Sequence, residues 1–359
     1  MNDEPIRFSK YSDHQQRSGV PLPRERVLKA LAFQEADIRP YYIWVDEEMM
    51  SPLAEWYGVE DVKKQVISDH TVMTEIKALK HPVDQEHYHD DFGTLWRKVG
   101  YSVPHVDKPA LLEPSLDGYF FPDLTTDDHF DGLSEWLDLN WDRFKIVQLT
   151  ELFWERTWSM RGMERIMMDM FDHVPFVDAL LDNLEATCMA VIERLLQDYG
   201  DKIDAIGFSD DMGGQRNMLI SPHTWRRFLK PHQRRFYERI RSAGKIVYLH
   251  TCGHVEPIVG ELIDIGVNML QPIQPETMDI FSLKAKYGQH ICFAGGISTQ
   301  HTLPYGTTDQ VREETMRCIE VMGKGGGYVV APAKPILPGV PIENAAALID
   351  TIVGQESIP

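Results

Sequence analysis

The run His250-Thr251-Cys252-Gly253 carries the most specific chemistry in this sequence. Residues i and i+2 of a β-strand project to the same side, so His250 and Cys252 present an imidazole and a thiol together. Such a pair is half of a zinc site, and further ligands would come from Glu151, Glu155, Asp210, Asp211 or water. The plainer alternative is a hydrogen-bonded histidine beside a buried cysteine. A second signal is FSDDMGGQ at 208–215, where two carboxylates follow an apolar run. If the strand continues, Asp210 and Asp211 point to opposite sides. One of them then faces a site as metal ligand, general acid/base or partner of a substrate cation. The competing use is a cap before Gly213-Gly214.

Other candidates are less specific. Gln215, Gln271, Gln274 and Arg161 are read as substrate-binding, and Lys334 joins Asp210 and Asp211 as catalytic. Arg161, Arg226 and Arg227 could bind an anion, against the alternative of a solvated helix face. AGGIST at 294–299 is either a phosphate loop or a pair of glycines that serve close packing. Cys188, Cys292 and Cys318 fall inside apolar segments and read as core.

The elements that must position these groups alternate. FKIVQLT, DAIGFSD, KIVYLHT, NMLQPI, ICFAGG and GYVVAP read as short apolar strands, and PYYIWV at 40–45 as another. Helical stretches are expected at 59–80, 161–172, 175–198, 221–244, 255–266, 278–287, 308–322 and 341–353, with Ser221 and Pro222 opening the fourth. Continuous apolar strands alternating with helices give a parallel α/β fold. The length and the absence of GxGxxG after the first strand favour a (β/α)8 TIM barrel. It would be a single domain over 24–355, with an N-terminal arm at 1–23 and an insertion in its first half. HYHDDFGTLWRKVGYSVPHV reads as a hairpin there. In such a barrel Glu151, Asp210, Asp211, His250, Cys252, Gln271, Gln274 and Lys334 all follow strand carboxyl ends, where the site lies.

Composition narrows the function. Lys plus Arg is 36 and Asp plus Glu 55, a net charge of −19 in 359 residues. That balance argues against nucleic acid and anionic membrane as partners and fits a cytoplasmic enzyme of a small molecule. No apolar run approaches the roughly 18 residues that cross a bilayer. The first 20 residues lack the apolar core of a signal peptide. Four cysteines suit a reducing compartment. A homodimer is expected, since twofold pairs are the commonest closed assembly.

Three longer runs, HTCGHVEPIVGELIDIGVNMLQPIQPE, FAGGISTQHTLPYGT and GGGYVVAPAKPILPGVPIENAAALID, resemble the uroporphyrinogen decarboxylase superfamily. RERVLKALAFQEADIRPYYIW, LFWERTWSMRGMERIMMDM and GFSDDMGGQRNMLISPHTWRRFLKP extend the resemblance over nearly all of 24–353. It implies a (β/α)8 barrel with its site at the strand carboxyl ends. True decarboxylases of this superfamily hold a tetrapyrrole with arginines on a segment of the type PvWxMRQAGRY, and VDEEMMSPLAEWYG stands here instead. Its other branch contains zinc- and corrinoid-linked methyltransferases that bind zinc through a His-x-Cys pair and a distant Cys. His250 and Cys252 match the pair, but Lys334 of APAK occupies or adjoins the place of the distant Cys. The resemblance therefore implies a methyltransferase moving a methyl group between a small methylated substrate and a thiol or a corrinoid protein, with zinc as Lewis acid. The alternative is a cofactor-free decarboxylase, with Lys334 or an arginine on a carboxylate.

Overall fold

The computed structural model describes residues 21–98 and 104–355. All but three residues of the expected arm at 1–23, and residues 99–103 of the expected hairpin, lie outside that description. In chain order the strands are β1 (Thr71–Ile76), β2 (Lys80–Pro82), β3 (His87–Asp90), β4 (Leu95–Arg97), β5 (His105–Lys108), β6 (Phe144–Thr150), β7 (Ala205–Ser209), β8 (Ile246–His250), β9 (Met269–Ile273), β10 (Cys292–Ile297) and β11 (Tyr328–Pro332). The chain divides into two units. A terminal unit is formed by Met1–Val72, Asp142–Phe144 and Asn268–Pro359, and a central unit by Met73–Trp141 and Lys145–Val267. Both are α/β with parallel strands.

In the central unit β6, β7 and β8 pair in parallel, and β1 lies beside β6. Their register sets Thr150 level with Ser209, and Ser209 level with His250. Three carboxyl ends therefore finish on one line. Ile146, Val147, Leu149, Ile206, Phe208, Val247 and Leu249 are all buried, which is why these strands read as continuous apolar runs. Helices Trp154–Arg161, Met163–Asp172 and Val174–Tyr199 join β6 to β7; Pro222–Phe228 and Lys230–Ser242 join β7 to β8. Phe236 of the last stacks on Phe208 at 5.2 Å and meets Phe153 edge-on at 5.1 Å. An antiparallel four-stranded sheet, β2 to β5, follows β1. It buries Tyr88, Asp90 and Trp96 and leaves His81 and His89 exposed.

The terminal unit pairs β9, β10 and β11 in parallel, every residue of the three buried. Gly295 and Gly296 lie inside β10 with φ of +113° and +97°, and a Cβ on Gly295 would come within 3.0 Å of the Ile273 backbone. AGGIST is thus largely strand, with glycines used for close approach.

Several expectations differ from the structure. The stretch 59–80 holds only the short turn Lys63–Ile67, closed by Ser68 at φ +52°, before β1 begins. Thr71, Val72 and Thr74 favour strand there. PYYIWV makes only bridges, at Tyr41 and Val45. Between them the Ile43 amide donates to the Asp69 carboxylate at 2.7 Å instead of to a neighbouring strand. The helix expected at 221–244 is two helices meeting at Leu229, because Pro231 has no amide to continue the first. Ser221 does cap the first, accepting from the Thr224 amide at 3.0 Å. Helices Glu47–Tyr57 and Leu133–Leu139 fall outside the expected helical stretches. Among the described residues no helix is long and apolar enough to cross a membrane.

Arg161 is buried. Its Nε donates to Asp169 at 2.6 Å and its NH1 to the Leu111 and Leu112 carbonyls at 3.2 and 2.5 Å. Arg227 instead lies half-exposed and pairs with Asp178 at 2.8 Å. Arg161→Met would strand a buried Asp169 and is expected to cost about 3–5 kcal/mol in urea unfolding. Arg227→Met should cost less than about 1 kcal/mol.

Candidate metal centre

The level ends of β6, β7 and β8 assemble the site in the central unit. Glu151 follows β6, Asp210 and Asp211 follow β7, and His250 ends β8 with Thr251 and Cys252 next. His250 Nε2 lies 3.3 Å from Cys252 Sγ and 3.9 Å from Asp211 Oδ1. One ligand atom from each of the three fits within 4.8 Å of the others. A tetrahedral zinc with these donors sets neighbouring ligand atoms about 3.5 Å apart, so the nitrogen, oxygen and sulfur set suits that ion. The Cys252 amide donates to Asp211 Oδ1 at 2.7 Å and orients the carboxylate. Without a metal the same contacts serve as a hydrogen-bonded cluster.

Asp210 does a different job. It is 1% exposed. Its Oδ1 accepts from the Trp154 and Glu155 amides at 2.9 and 3.2 Å, capping a helix whose own cap residue, Phe153, offers no side-chain acceptor. Burial pushes its pKa up to about 7, against the pull of those amides and the nearby Gln233, with Asp211 adding to the rise. The capped helix carries Glu155. Ser209 Oγ donates to Glu155 Oε2 at 3.3 Å. Burial first, and then the charges of Asp211, Asp210 and Glu151, hold the Glu155 carboxyl well above the usual carboxylate range.

Glu151 sits at φ +53°, a backbone region costly for a side chain of its kind. Burial raises its pKa, Arg156 opposes the rise, and Glu75 and Asp90 add to it. The Glu151 carbonyl accepts from Arg156 Nε at 3.0 Å, while Arg156 NH1 pairs with Asp90. Asp90 is fixed in turn by the Thr94 amide at 3.0 Å and Trp96 Nε1 at 2.8 Å. The antiparallel sheet therefore buttresses the turn after β6.

The turns after β7 and β8 press together. The Gly213 amide donates to the Cys252 carbonyl at 3.1 Å and the His254 amide to the Gly214 carbonyl at 2.8 Å. Gly253 has φ +79°, and a Cβ there would lie 2.3 Å from Gly213 C.

The structure thus brings together Glu151, Glu155, Asp210, Asp211, His250 and Cys252. Gln215 is exposed on the turn after β7, and Arg161 is committed to Asp169. Gln271, Gln274 and Lys334 belong to the terminal unit, the glutamines buried and Lys334 half-buried. Sequence reasoning missed Arg156 and Asp90. Arg156 stood in a quoted run, but its partner is 66 residues away. A second cluster, Asp182, Glu185 and His232, has Arg235 paired to Glu185, so a guanidinium already supplies the positive charge.

The family model described as uroporphyrinogen decarboxylase (URO-D) matches residues 155–354. That is more than half of the chain, which belongs to this family. Within it the chain is similar to methyltransferases. It is 31% identical to a methylcobamide:CoM methyltransferase of Methanosarcina barkeri over 146 residues, 41% of this chain and 40% of the relative. It is 28% identical to a methylated-thiol–coenzyme M methyltransferase of Methanosarcina mazei over 131 residues, 36% of this chain and 33% of that one. The matches therefore span two fifths or less of these relatives' length. Among solved structures, a methyltransferase from Methanosarcina mazei shares the fold, with TM-score 0.66 and 18% identity over 92% of this chain and 98% of its own.

Two outcomes are expected. Between pH about 4 and 7 the folded chain holds a proton on Asp210 that the unfolded chain has released, so Asp210 makes stability fall as pH rises through that window. Asp210→Asn keeps an acceptor for the two amides and cannot ionise. In metal-free protein it should flatten the pH dependence of urea unfolding by up to about 1.4 kcal/mol per pH unit; an unchanged slope would refute the assignment. Gly253→Ala meets both the positive φ and the Gly213 backbone, and should cost more than about 2 kcal/mol in the same assay.

Proposed function

We propose that this protein is a methyltransferase that moves a methyl group between a small methylated substrate and a thiol or a corrinoid carrier protein, with zinc held by His250, Cys252 and Asp211. The observation that carries the reading is the convergence of those three donors at the ends of β7 and β8. The activities in the relatives' names agree with it. The strand–helix alternation and the shared fold support a (β/α)8 barrel for the whole chain. The carboxylate of Asp211 would stand in for the distant cysteine, whose place in the sequence Lys334 occupies or adjoins.

Zinc bound there would act as a Lewis acid, lowering the pKa of a thiol or polarising a leaving group. The chain's own residues supply the rest. Asp211 is held by the Cys252 amide and keeps one carboxylate edge turned to His250. Glu155, whose carboxyl is held well above the usual carboxylate range by burial and by the charges of Asp211, Asp210 and Glu151, is the residue placed to serve as general acid to a leaving oxygen or nitrogen. Asp210, buried beneath the helix start, fixes where Glu155 stands and does not touch substrate. The chain's acidic surface, net −19, would be the docking face for a corrinoid carrier.

Metal content tests the core of this reading. Elemental analysis should find about one zinc per chain in the wild type and little in Cys252→Ala, with Asp211→Asn reduced as well. No metal in a preparation never exposed to chelator, or content unchanged in Cys252→Ala, would sink the zinc mechanism. The zinc-bearing protein should then demethylate methylcobalamin in the presence of a thiol, forming the thioether as the carbon–cobalt bond breaks, which an absorbance change reports.

A further inference from the structure

We propose that Asp91, held by His129 and His81, is a histidine-gated clip: it grips the β3–β4 turn hardest while the imidazoles are charged, and through that turn it makes the seat of Glu151 depend on pH. The inference concerns how the turn after β6 is held, and it stands apart from the methyl-transfer reading.

Three consecutive residues of the hairpin each reach a different partner. Asp90 pairs with Arg156, whose Nε donates to the Glu151 carbonyl at 3.0 Å. The Phe92 ring lies 4.3 Å from the Arg156 guanidinium, and the Phe92 carbonyl accepts from the Tyr119 hydroxyl at 2.8 Å. Asp91, between them, is held from outside the turn. Its Oδ1 accepts from His81 Nε2 at 2.6 Å, and its Oδ2 from His129 Nε2 at 3.0 Å and the Leu79 amide at 2.6 Å. The turn itself is tight: the Gly93 amide donates to the Asp90 carbonyl at 2.9 Å and the Thr94 amide to Asp90 Oδ1 at 3.0 Å. A shift at Asp91 therefore reaches Asp90 and Arg156 within one residue.

His129 is the effective arm. Its side chain is 4% exposed and that of Asp91 13%, whereas His81 is 57% exposed. A charge-assisted hydrogen bond is roughly twice as strong as a neutral one, and an exposed pair loses most of that advantage to solvent. His129 also stands on firm support. The short helix Asp127–Phe130 is pinned to Val174–Tyr199 by Phe130 stacking on Tyr199 and by Arg194 pairing with Asp127 at 2.7 Å. Other charged and titratable groups surround the clip. Asp123, exposed, feels both His129 and Arg194. His89 lies opposite His81 across the strands, its Nδ1 3.2 Å from the Gly93 carbonyl, and His87 pairs with Asp84 at 2.9 Å. Lys80, level with Asp90, lies over the Tyr88 ring.

Burial pushes the Asp91 carboxyl up, but the hydrogen bonds from His81, His129 and the Leu79 amide outweigh it and hold the group below the usual carboxylate range. Asp91 thus stays ionised across the pH range in which histidines change charge. Thr126 Oγ1, 2.8 Å from His129 Nδ1, serves both states, since its hydroxyl donates to a bare Nδ1 or accepts from a protonated one. The clip keeps its contacts in both, and its strength falls as pH rises and the imidazolium is lost.

Hydrogen exchange of the full chain at pH 6 and pH 8, read by mass and corrected for the intrinsic pH dependence of exchange, tests the clip. Peptides covering 88–97 and 151–156 should both be at least about threefold more protected at pH 6. His129→Gln keeps a donor of similar reach that cannot change charge. Both peptides should then be equally protected at the two pH values, near the wild-type level at pH 8. A merely structural contact would instead lose the same protection at both. His81→Gln should leave most of the step, and Asp91→Asn should remove it. A wild type equally protected at pH 6 and pH 8, a step that survives in His129→Gln, or a step at 88–97 without one at 151–156 each overturns the inference. None of these outcomes bears on methyl transfer.

Discussion

A carboxylate sealed beneath two backbone amides is the constraint on which this site depends. Asp210 leaves β7, enters a space with almost no solvent, and caps the helix that begins at Trp154. That helix has no cap of its own, so its first-turn amides would otherwise be unsatisfied inside the protein. The same bond joins the turn after β6 to the end of β7. It fixes Glu155 in space and leaves the next residue, Asp211, to turn toward β8. Trp154 ties the junction from the other side, its indole donating to the Asp211 carbonyl at 3.1 Å.

Two further contacts hold the geometry against strain. Glu151 stands in an unfavourable backbone region, and the structure around it over-determines that choice through Arg156, Asp90 and the antiparallel sheet. On the opposite flank the turns after β7 and β8 approach until only glycine fits at 213 and 253. That approach brings Asp211 within reach of the Cys252 amide. The donor triad is thus a product of strand register plus loop contact, and neither alone would place the three candidate donors together.

Much of this was legible in the sequence, and the reason is periodicity. β6 to β11 are short, apolar and buried on both faces, so their pattern is unambiguous, and each polar residue just beyond them marks a strand end. The His-x-Cys spacing carried its own geometry. The region before Phe144 was legible only in part. β2 to β5 are three or four residues long, too short to show alternation, and β1 stands next to a turn that mimics helical spacing. PYYIWV has strand composition, yet the Asp69 carboxylate takes the amide that a ladder would use. Arg156 with Asp90, and Arg161 with Asp169, are pairings that residue type does not announce. An arginine in an amphipathic helix reads as surface until its partner is known.

The distinction between Asp210 and Glu155 shows why a perturbed carboxyl is not by itself a catalytic acid. Asp210 titrates near 7, where an acid/base group is useful, and on that ground alone it would be chosen. Geometry assigns it elsewhere: one oxygen is held by two amides, the other is buried, and nothing the size of a substrate can reach either. Its proton reflects the cost of burial. Glu155 carries a raised pKa for a second reason as well, the surrounding carboxylates, and it retains access to the open side of the cluster. A positive charge arriving there, whether a metal ion or a substrate, changes the balance at Glu155 directly and at Asp210 only through the helix between them. In the proposed reading acid chemistry therefore belongs to the residue that an incoming charge can touch, and Asp210 governs where that residue stands.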